Sequence, residues 1–356
     1  MREESLKFFK ELLHAPSPSG YEQPAQRLFR SYIEPFSTVT TDVMGNVYGR
    51  IEGGSTDCPR VMLVGHSDEI GLQIRYIDDK GFIYFSAIGG VDAHLTPGLL
   101  VNIHTKSGPV RGVIGKKPIH LMEAKDRESV VKLDAQYIDI GAADKKEAEG
   151  LVRVGDPVTF TSEFSFLLGT RVTASGFDDK AGSFIVAEVL RKISALDEKL
   201  SCDLYGVSSV QEEIGLRGGT TSSYNVKPDI GICVEVDFAT DQPDVERKHN
   251  GDVSIGKGPI LPRGANINHA LFELLVDTAE QEGIPVQFTG IPRATGTDAN
   301  VMQISRGGVA TALVKIPLRY MHTPVEVLDL SDLDSAIRLI TAVVKKIRNK
   351  RDFIPV

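Results

Sequence analysis

Tryptophan is absent from this chain and cysteine is scarce, with only Cys58, Cys202 and Cys233. An odd number of cysteines without paired spacing excludes a disulfide framework and fits a reducing compartment. It also removes the thiolate clusters that hold structural zinc. No apolar run approaches the ~18 residues of a membrane span. The opening Met1-Arg-Glu-Glu-Ser-Leu-Lys lacks the continuous apolar core of a secretion signal. Positive charge is not in excess: a net charge of -8 argues against nucleic acid and anionic membrane surfaces as partners. Together these absences predict a cytoplasmic protein.

What is present is ordinary globular composition, 41% apolar and 25% charged over 356 residues. At ~150 residues per domain, this length predicts two or three domains. Leu6, Phe9 and Leu13 mark one face of a first helix, ended by Pro16 and Pro18. Ala25, Leu28, Phe29, Tyr32 and Ile33 repeat the pattern, and strand-like runs follow at 39–42 and 46–51. The unalternated run 61–64 reads as a central strand buried on both faces.

From 72 to 161 the texture changes to short alternating runs broken by glycine, with one possible helix near 144–150. This predicts a small all-β domain inserted into an α/β domain made of 1–71 and 162–356. After Gly176 the alternation of strands and helices returns. Helices are expected at 180–196, at 269–282 and from Ser331 onward, and strands at 204–210, 230–236 and 309–316. The predicted fold class is α/β, with a mostly parallel central sheet and helices on both faces.

In such sheets ligands bind beyond the C-terminal ends of the strands. The run at 61–64 ends in His66-Ser-Asp68, and the run at 204–210 ends in Glu212-Glu213. The run at 230–236 carries Glu235-Val-Asp237, that at 309–316 leads to His322, and Asp178-Asp179 precede a helix. Each element alone has a plain reading. Asp178-Asp179 could cap a helix, Glu235 and Asp237 could be loop charges, and His322 could be a core histidine. Joint placement at element ends is the stronger signal. Nitrogen and carboxylate donors without thiolate suit Zn²⁺, Co²⁺ or Mn²⁺. Their number exceeds what one catalytic metal needs and fits a pair of ions. One carboxylate of Glu212-Glu213 could bind metal while its neighbour takes a proton. The other histidines, His14, His94, His104, His120, His249 and His269, lack such a context.

These segments resemble the tetrahedral aminopeptidases, the glutamyl or deblocking aminopeptidase family of dinuclear metallopeptidases. The matching stretches are Gly65-His66-Ser-Asp68-Glu-Ile-Gly71, Phe177-Asp178-Asp179-Lys-Ala-Gly182, Gln211-Glu212-Glu213-Ile-Gly215, Gly296-Thr-Asp298-Ala and Arg319-Tyr-Met-His322-Thr-Pro-Val-Glu326. The resemblance implies a zinc-exopeptidase-like fold that binds two divalent ions, Zn²⁺ or Co²⁺, per subunit. It implies His66, Asp178 and Glu235 at one metal, with Asp178 bridging to a second held by Glu213 and His322. Glu212 would be the general base, and Asp68 would orient His66. Peptides would be the substrates, and the β insertion would mediate dimers that assemble into a tetrahedral dodecamer. Glu235 stands where the family often has Asp, with Asp237 near enough to compete, and Asn300 is atypical. Two other readings compete: an endoglucanase-type glycoside hydrolase using paired carboxylates, and a non-catalytic, self-assembling metal-binding protein. The first leaves both histidines unused and lacks a tryptophan for stacking on sugar. The second has no need of Glu212.

Overall fold

The computed structural model describes residues 1–55 and 58–355. Among them, an eight-stranded sheet runs edge to edge through Thr38–Thr41, Val47–Ile51, Asp203–Ser209, Arg60–His66, Ile230–Phe238, Ala310–Leu318, Ile260–Gly264 and Gln287–Ile291. The four middle strands are parallel to one another. Antiparallel pairings join them to the outer strands on both sides, so the sheet is mixed around a parallel centre. Arg60–His66 lies in that centre, and every residue from Val61 to His66 is buried. This is why its apolar run does not alternate.

Helices cover both faces. Val61, Leu63, Ile230 and Ile232 pack against Phe9, Phe29, Phe184, Leu271 and Leu333 of five helices. Met62, Val64, Val207 and Leu313 face Val226 and Met302 on the opposite side. Phe9 and Phe184 are fully buried, with ring centroids 4.7 Å apart. Burial of each such side chain is worth about 1.5–3 kcal/mol.

The helix expected at 180–196 forms as Phe177–Ser194, with non-helical dihedrals at Asp178 and Asp179. The Arg217–Val226 helix has no counterpart in the sequence pattern. Its Arg-Gly-Gly-Thr-Thr-Ser-Ser-Tyr-Asn-Val has weak helix propensity. Packing is the reason it is helical: Gly218 and Gly219 let it lie against Val210 and Asp298, where a Cβ would not fit.

Between the sheet strands, six strands spanning 71–160 close a small barrel. Leu72, Ile74, Phe85, Val101, Ile103 and Ile138 fill it as a core of its own. The expectation of an all-β insertion needs correcting in detail, because short helices at Ala124–Arg127 and Lys145–Leu151 accompany the strands. Asp144 starts the second of these by accepting the Glu147 N–H, a capping contact within the 144–150 stretch.

One close approach places the end of the central strand against the start of the Phe177–Ser194 helix. A Cβ on Gly65 would sit 2.5 Å from the Gly182 carbonyl carbon, and one on Gly182 would sit 2.5 Å from the Val234 oxygen. Only glycine permits both. Gly182→Ala is therefore expected to destabilise the fold by ~1–3 kcal/mol through overpacking. Urea unfolding measures this, and an unchanged midpoint would refute it.

Candidate active site

The strand ends deliver six of the candidate side chains to one cleft of about 260 Å³, lined by His66, Asp178, Glu212, Glu213, Glu235 and His322 among others. His66 and Glu235 lie on neighbouring parallel strands. Asp178 enters from the helix that the Gly65–Gly182 contact pulls against the sheet. Glu212 and Glu213 follow Asp203–Ser209, and His322 follows Ala310–Leu318.

Asp178 is the centre of the cluster. Its Oδ1 lies 3.2 Å from His66 Nε2 and its Oδ2 3.2 Å from His322 Nε2. Glu213 Oε1 is also 3.2 Å from His322 Nε2. Glu212 Oε2 and Glu235 Oε1 each lie 3.8 Å from His66 Nε2. The far ring nitrogens are engaged elsewhere. His66 Nδ1–H donates to the Asp68 carbonyl oxygen at 2.9 Å, and His322 Nδ1–H donates to the Gly90 carbonyl oxygen at 3.0 Å. A carbonyl only accepts, so both rings carry a proton on Nδ1 and turn Nε2 into the cluster.

Asp68 lies behind the cluster, fully buried. Its two carboxylate oxygens accept the Glu212 N–H at 2.9 Å and the Glu213 N–H at 3.1 Å, with the Ser19 hydroxyl on one of them at 2.6 Å. The same carboxylate is 3.4 Å from His66 Nδ1. Asp68 thus touches His66 chiefly through its backbone and holds the Glu212-Glu213 loop with its side chain.

Glu326 does comparable work on the other side. It accepts the His322 N–H at 3.0 Å and the Asp178 N–H at 3.3 Å, so one buried carboxylate fixes the backbone of both residues. His322 has φ 62, a left-handed conformation that a non-glycine residue holds only when its surroundings enforce it. Asp179 accepts the His66 N–H at 3.1 Å and the Gly182 N–H at 3.0 Å. Sequence reasoning left the roles of Glu326, Asp179 and Gly90 unread, although Glu326 and Asp179 both sit inside the recognised stretches. Asp237 makes an ion pair with Lys315 at 3.0 Å. Asn300 sits on the Asp298–Gln303 helix. Buried Asp298 accepts the Ser209 hydroxyl at 2.6 Å.

The donor set fits divalent cations. His66, Asp178 and Glu213 offer ligand atoms within 4.8 Å of one another, as do His66, Asp179 and Glu235. In the second group Asp179 is a poor donor, because both of its oxygens already accept backbone N–H groups.

The electrostatics point the same way. Burial opposes charge on His66, but Glu235, Glu212, Asp178 and Asp68 around it hold its pKa well above the ordinary value. Hydrogen bonds to Asp178 and Glu213 push His322 up to about 11. Burial pushes Glu212 up to about 10 and Glu235 up to about 8. Burial would raise Asp178 too, but hydrogen bonds from His322 and His66 hold it below its ordinary value.

Without a cation, the cluster therefore holds protons at neutral pH that the unfolded chain partly releases. The His322 contribution to stability is full below ~6.5 and fades as pH rises towards about 11. The raised carboxyls Glu212 and Glu235 also make the metal-free fold less stable as pH rises from 4.5 towards 8–10. A bound cation displaces these protons, so affinity should rise over the same range. Calorimetry in buffers of different ionisation enthalpy is expected to show net proton release on adding Zn²⁺ or Co²⁺, with tighter binding at pH ~8 than at pH ~6. Proton-neutral, pH-independent binding would contradict this.

The comparisons with known proteins agree with this geometry. The model of the M42 glutamyl aminopeptidase family matches residues 45–339. The lysyl aminopeptidase of Pyrococcus furiosus is 36% identical over 353 residues, covering 98% of this chain and 99% of its own. The crystal structure of the TET aminopeptidase from Thaumarchaeota archaeon SCGC AB-539-E09 superposes with a TM-score of 0.92 at 33% identity, covering 97% of each chain. The Pyrococcus horikoshii TET1 peptidase, which can assemble into a tetrahedron or a large octahedral shell, gives a TM-score of 0.86 at 31% identity, covering 96% of this chain and 100% of its own. A chain with this fold, this buried histidine–carboxylate cluster and relatives along nearly its whole length belongs to the M42 glutamyl aminopeptidase family.

Proposed function

We propose that this chain is a dinuclear metallo-aminopeptidase that removes N-terminal residues from peptides in the cytoplasm. The observation that carries the reading is the position of Glu212. Its carboxylate lies 3.8 Å from His66 Nε2, at the edge of the donor set, and its backbone N–H is anchored on Asp68. His66, Asp178 and Glu235 would hold one divalent ion, Glu213 and His322 a second, and Asp178 would reach both. When bound, Zn²⁺ or Co²⁺ ions supply the Lewis acidity that polarises the scissile carbonyl and makes the attacking water acidic. Glu212 takes the proton from that water on a carboxylate oxygen and passes it to the leaving amine as the C–N bond breaks. Asp68 and Glu326 keep the loops still, so that the proton moves over a short, constant distance. Glu213 and the two Nε2 atoms bind, and the Nδ1 contacts to Asp68 and Gly90 stop the rings from turning.

The barrel would mediate dimerisation, and the dimers would build a tetrahedral dodecamer. Exposed Ile119 and Leu121 on the barrel side, and the assembly described for the TET1 peptidase, support this. Size-exclusion chromatography with light scattering should give the mass of a dodecamer, and a monomer mass would sink the assembly.

Glu212→Gln is expected to lower turnover of aminoacyl-p-nitroanilides by ~10²–10⁴-fold with metal content unchanged by elemental analysis. Retained activity with lost metal would overturn the assignment. Hydrolysis of a β-glucan that survives a strong chelator, without turnover of the p-nitroanilides, would favour a metal-free, paired-carboxylate glycosidase instead.

A further inference from the structure

Beyond the candidate ligands and Glu212, the charged side chains that line the cleft among the described residues are Asp237 and Lys315. Both belong to the sheet. Asp237 stands two residues past Glu235 on Ile230–Phe238, so the two carboxylates share a face of the strand, about 6–7 Å apart along it. Lys315 is the register partner of Glu235 on the neighbouring parallel strand. The wall around the pair includes Phe238, Met321 and Gly296.

The pair is closed on itself. Asp237 Oδ1 accepts the Phe238 N–H at 2.9 Å, and its Oδ2 accepts from the Lys315 ammonium at 3.0 Å. Among the described residues this is the one hydrogen bond that the Lys315 side chain makes. The pair nevertheless faces the cleft: the Asp237 side chain is 22% exposed and that of Lys315 is 9%. Phe238 is 62% exposed, an apolar ring open to whatever lies in the cleft.

A peptide whose first carbonyl lies over the donor cluster extends its first side chain by several ångströms, which is the separation of Asp237 from Glu235. An acidic side chain arriving there would be drawn by Lys315 and repelled by Asp237, and a basic one the reverse. The two effects offset each other, while the cost of stripping water from the incoming charge remains. An apolar side chain carries no such cost, leaves the pair intact and covers Phe238 and Met321.

We propose that the Asp237–Lys315 pair closes this subsite to charge, so that the substrates are peptides with an uncharged, apolar first residue. Either partner alone would select a side chain of the opposite charge. This substrate class rests on the peptidase reading of the cleft given above.

The test compares kcat/KM for the p-nitroanilides of leucine, glutamate and lysine within each protein preparation. A ratio between substrates cancels any loss of metal or of folded protein, since such losses act on all three alike. The unsubstituted protein is expected to favour leucine over both charged substrates by at least about tenfold. Asp237→Ala frees the ammonium and should raise the glutamate-to-leucine ratio about tenfold. Lys315→Met frees the carboxylate and should raise the lysine-to-leucine ratio about tenfold. Calorimetric titration of free L-leucine, L-glutamate and L-lysine into the metal-loaded proteins should give the same order without turnover. A native preference for a charged residue, or ratios unchanged in both variants, overturns the proposal. No turnover of any p-nitroanilide with Zn²⁺ or Co²⁺ overturns the peptidase reading instead. The binding order then decides the role of the pair, and equal affinities or no binding in all three proteins count against it.

Discussion

Burial of like charge at one end of a parallel sheet is the constraint on which the rest of this structure depends. Asp178, Glu212 and Glu235 are each under 10% exposed and lie close around His66 and His322. Away from water, each carboxylate must take a proton, accept hydrogen bonds or share a cation. The surrounding architecture answers that demand residue by residue. Asp179 and Glu326 accept backbone N–H groups, Asp68 accepts two N–H groups and a hydroxyl, and Asp237 faces Lys315. The carboxylates left over are those that point into the cleft. Such a site offers the donor set that a divalent cation takes.

The Glu212-Glu213 pair shows how the fold separates two adjacent residues of the same type. Both N–H groups rest on one carboxylate, that of Asp68, which fixes the peptide planes. The side chains then diverge, Glu213 towards His322 and Glu212 towards His66. Support arrives from elements remote in sequence. The segment after the Ile83–Ile88 barrel strand supplies the Gly90 carbonyl that orients His322. A Cβ on Gly89 would come within 3.0 Å of the Glu213 carboxylate, so glycine there is a condition for the approach of the barrel to the site. The insertion is therefore part of the site as well as an attachment to it.

Much of this was legible in the residues. The run 61–64 reads as a central strand because both faces are buried, and the helices carrying Phe9, Phe29 and Leu333 read from their apolar spacing. The Arg217–Val226 helix was not legible, because glycine, serine and threonine oppose helix formation locally and only packing against Val210 and Asp298 overrides them. The mixed character of the sheet was hidden as well, since strand direction is set by connections and pairing rather than by side-chain pattern.

By itself, the sequence determined the kinds of ligand, their order along the chain and the alternation of strands and helices that gathers them at strand ends. Those properties are local or periodic, and residue chemistry alone carries them. Tertiary structure decided which oxygen faces which nitrogen. It turned the Asp68 carboxylate towards a loop and its carbonyl towards His66, and it gave Glu326 two backbones to hold. These contacts join residues separated by up to 232 positions. Their energies depend on distances of a few tenths of an ångström, which exist only once the Gly65–Gly182 approach and the barrel are in place.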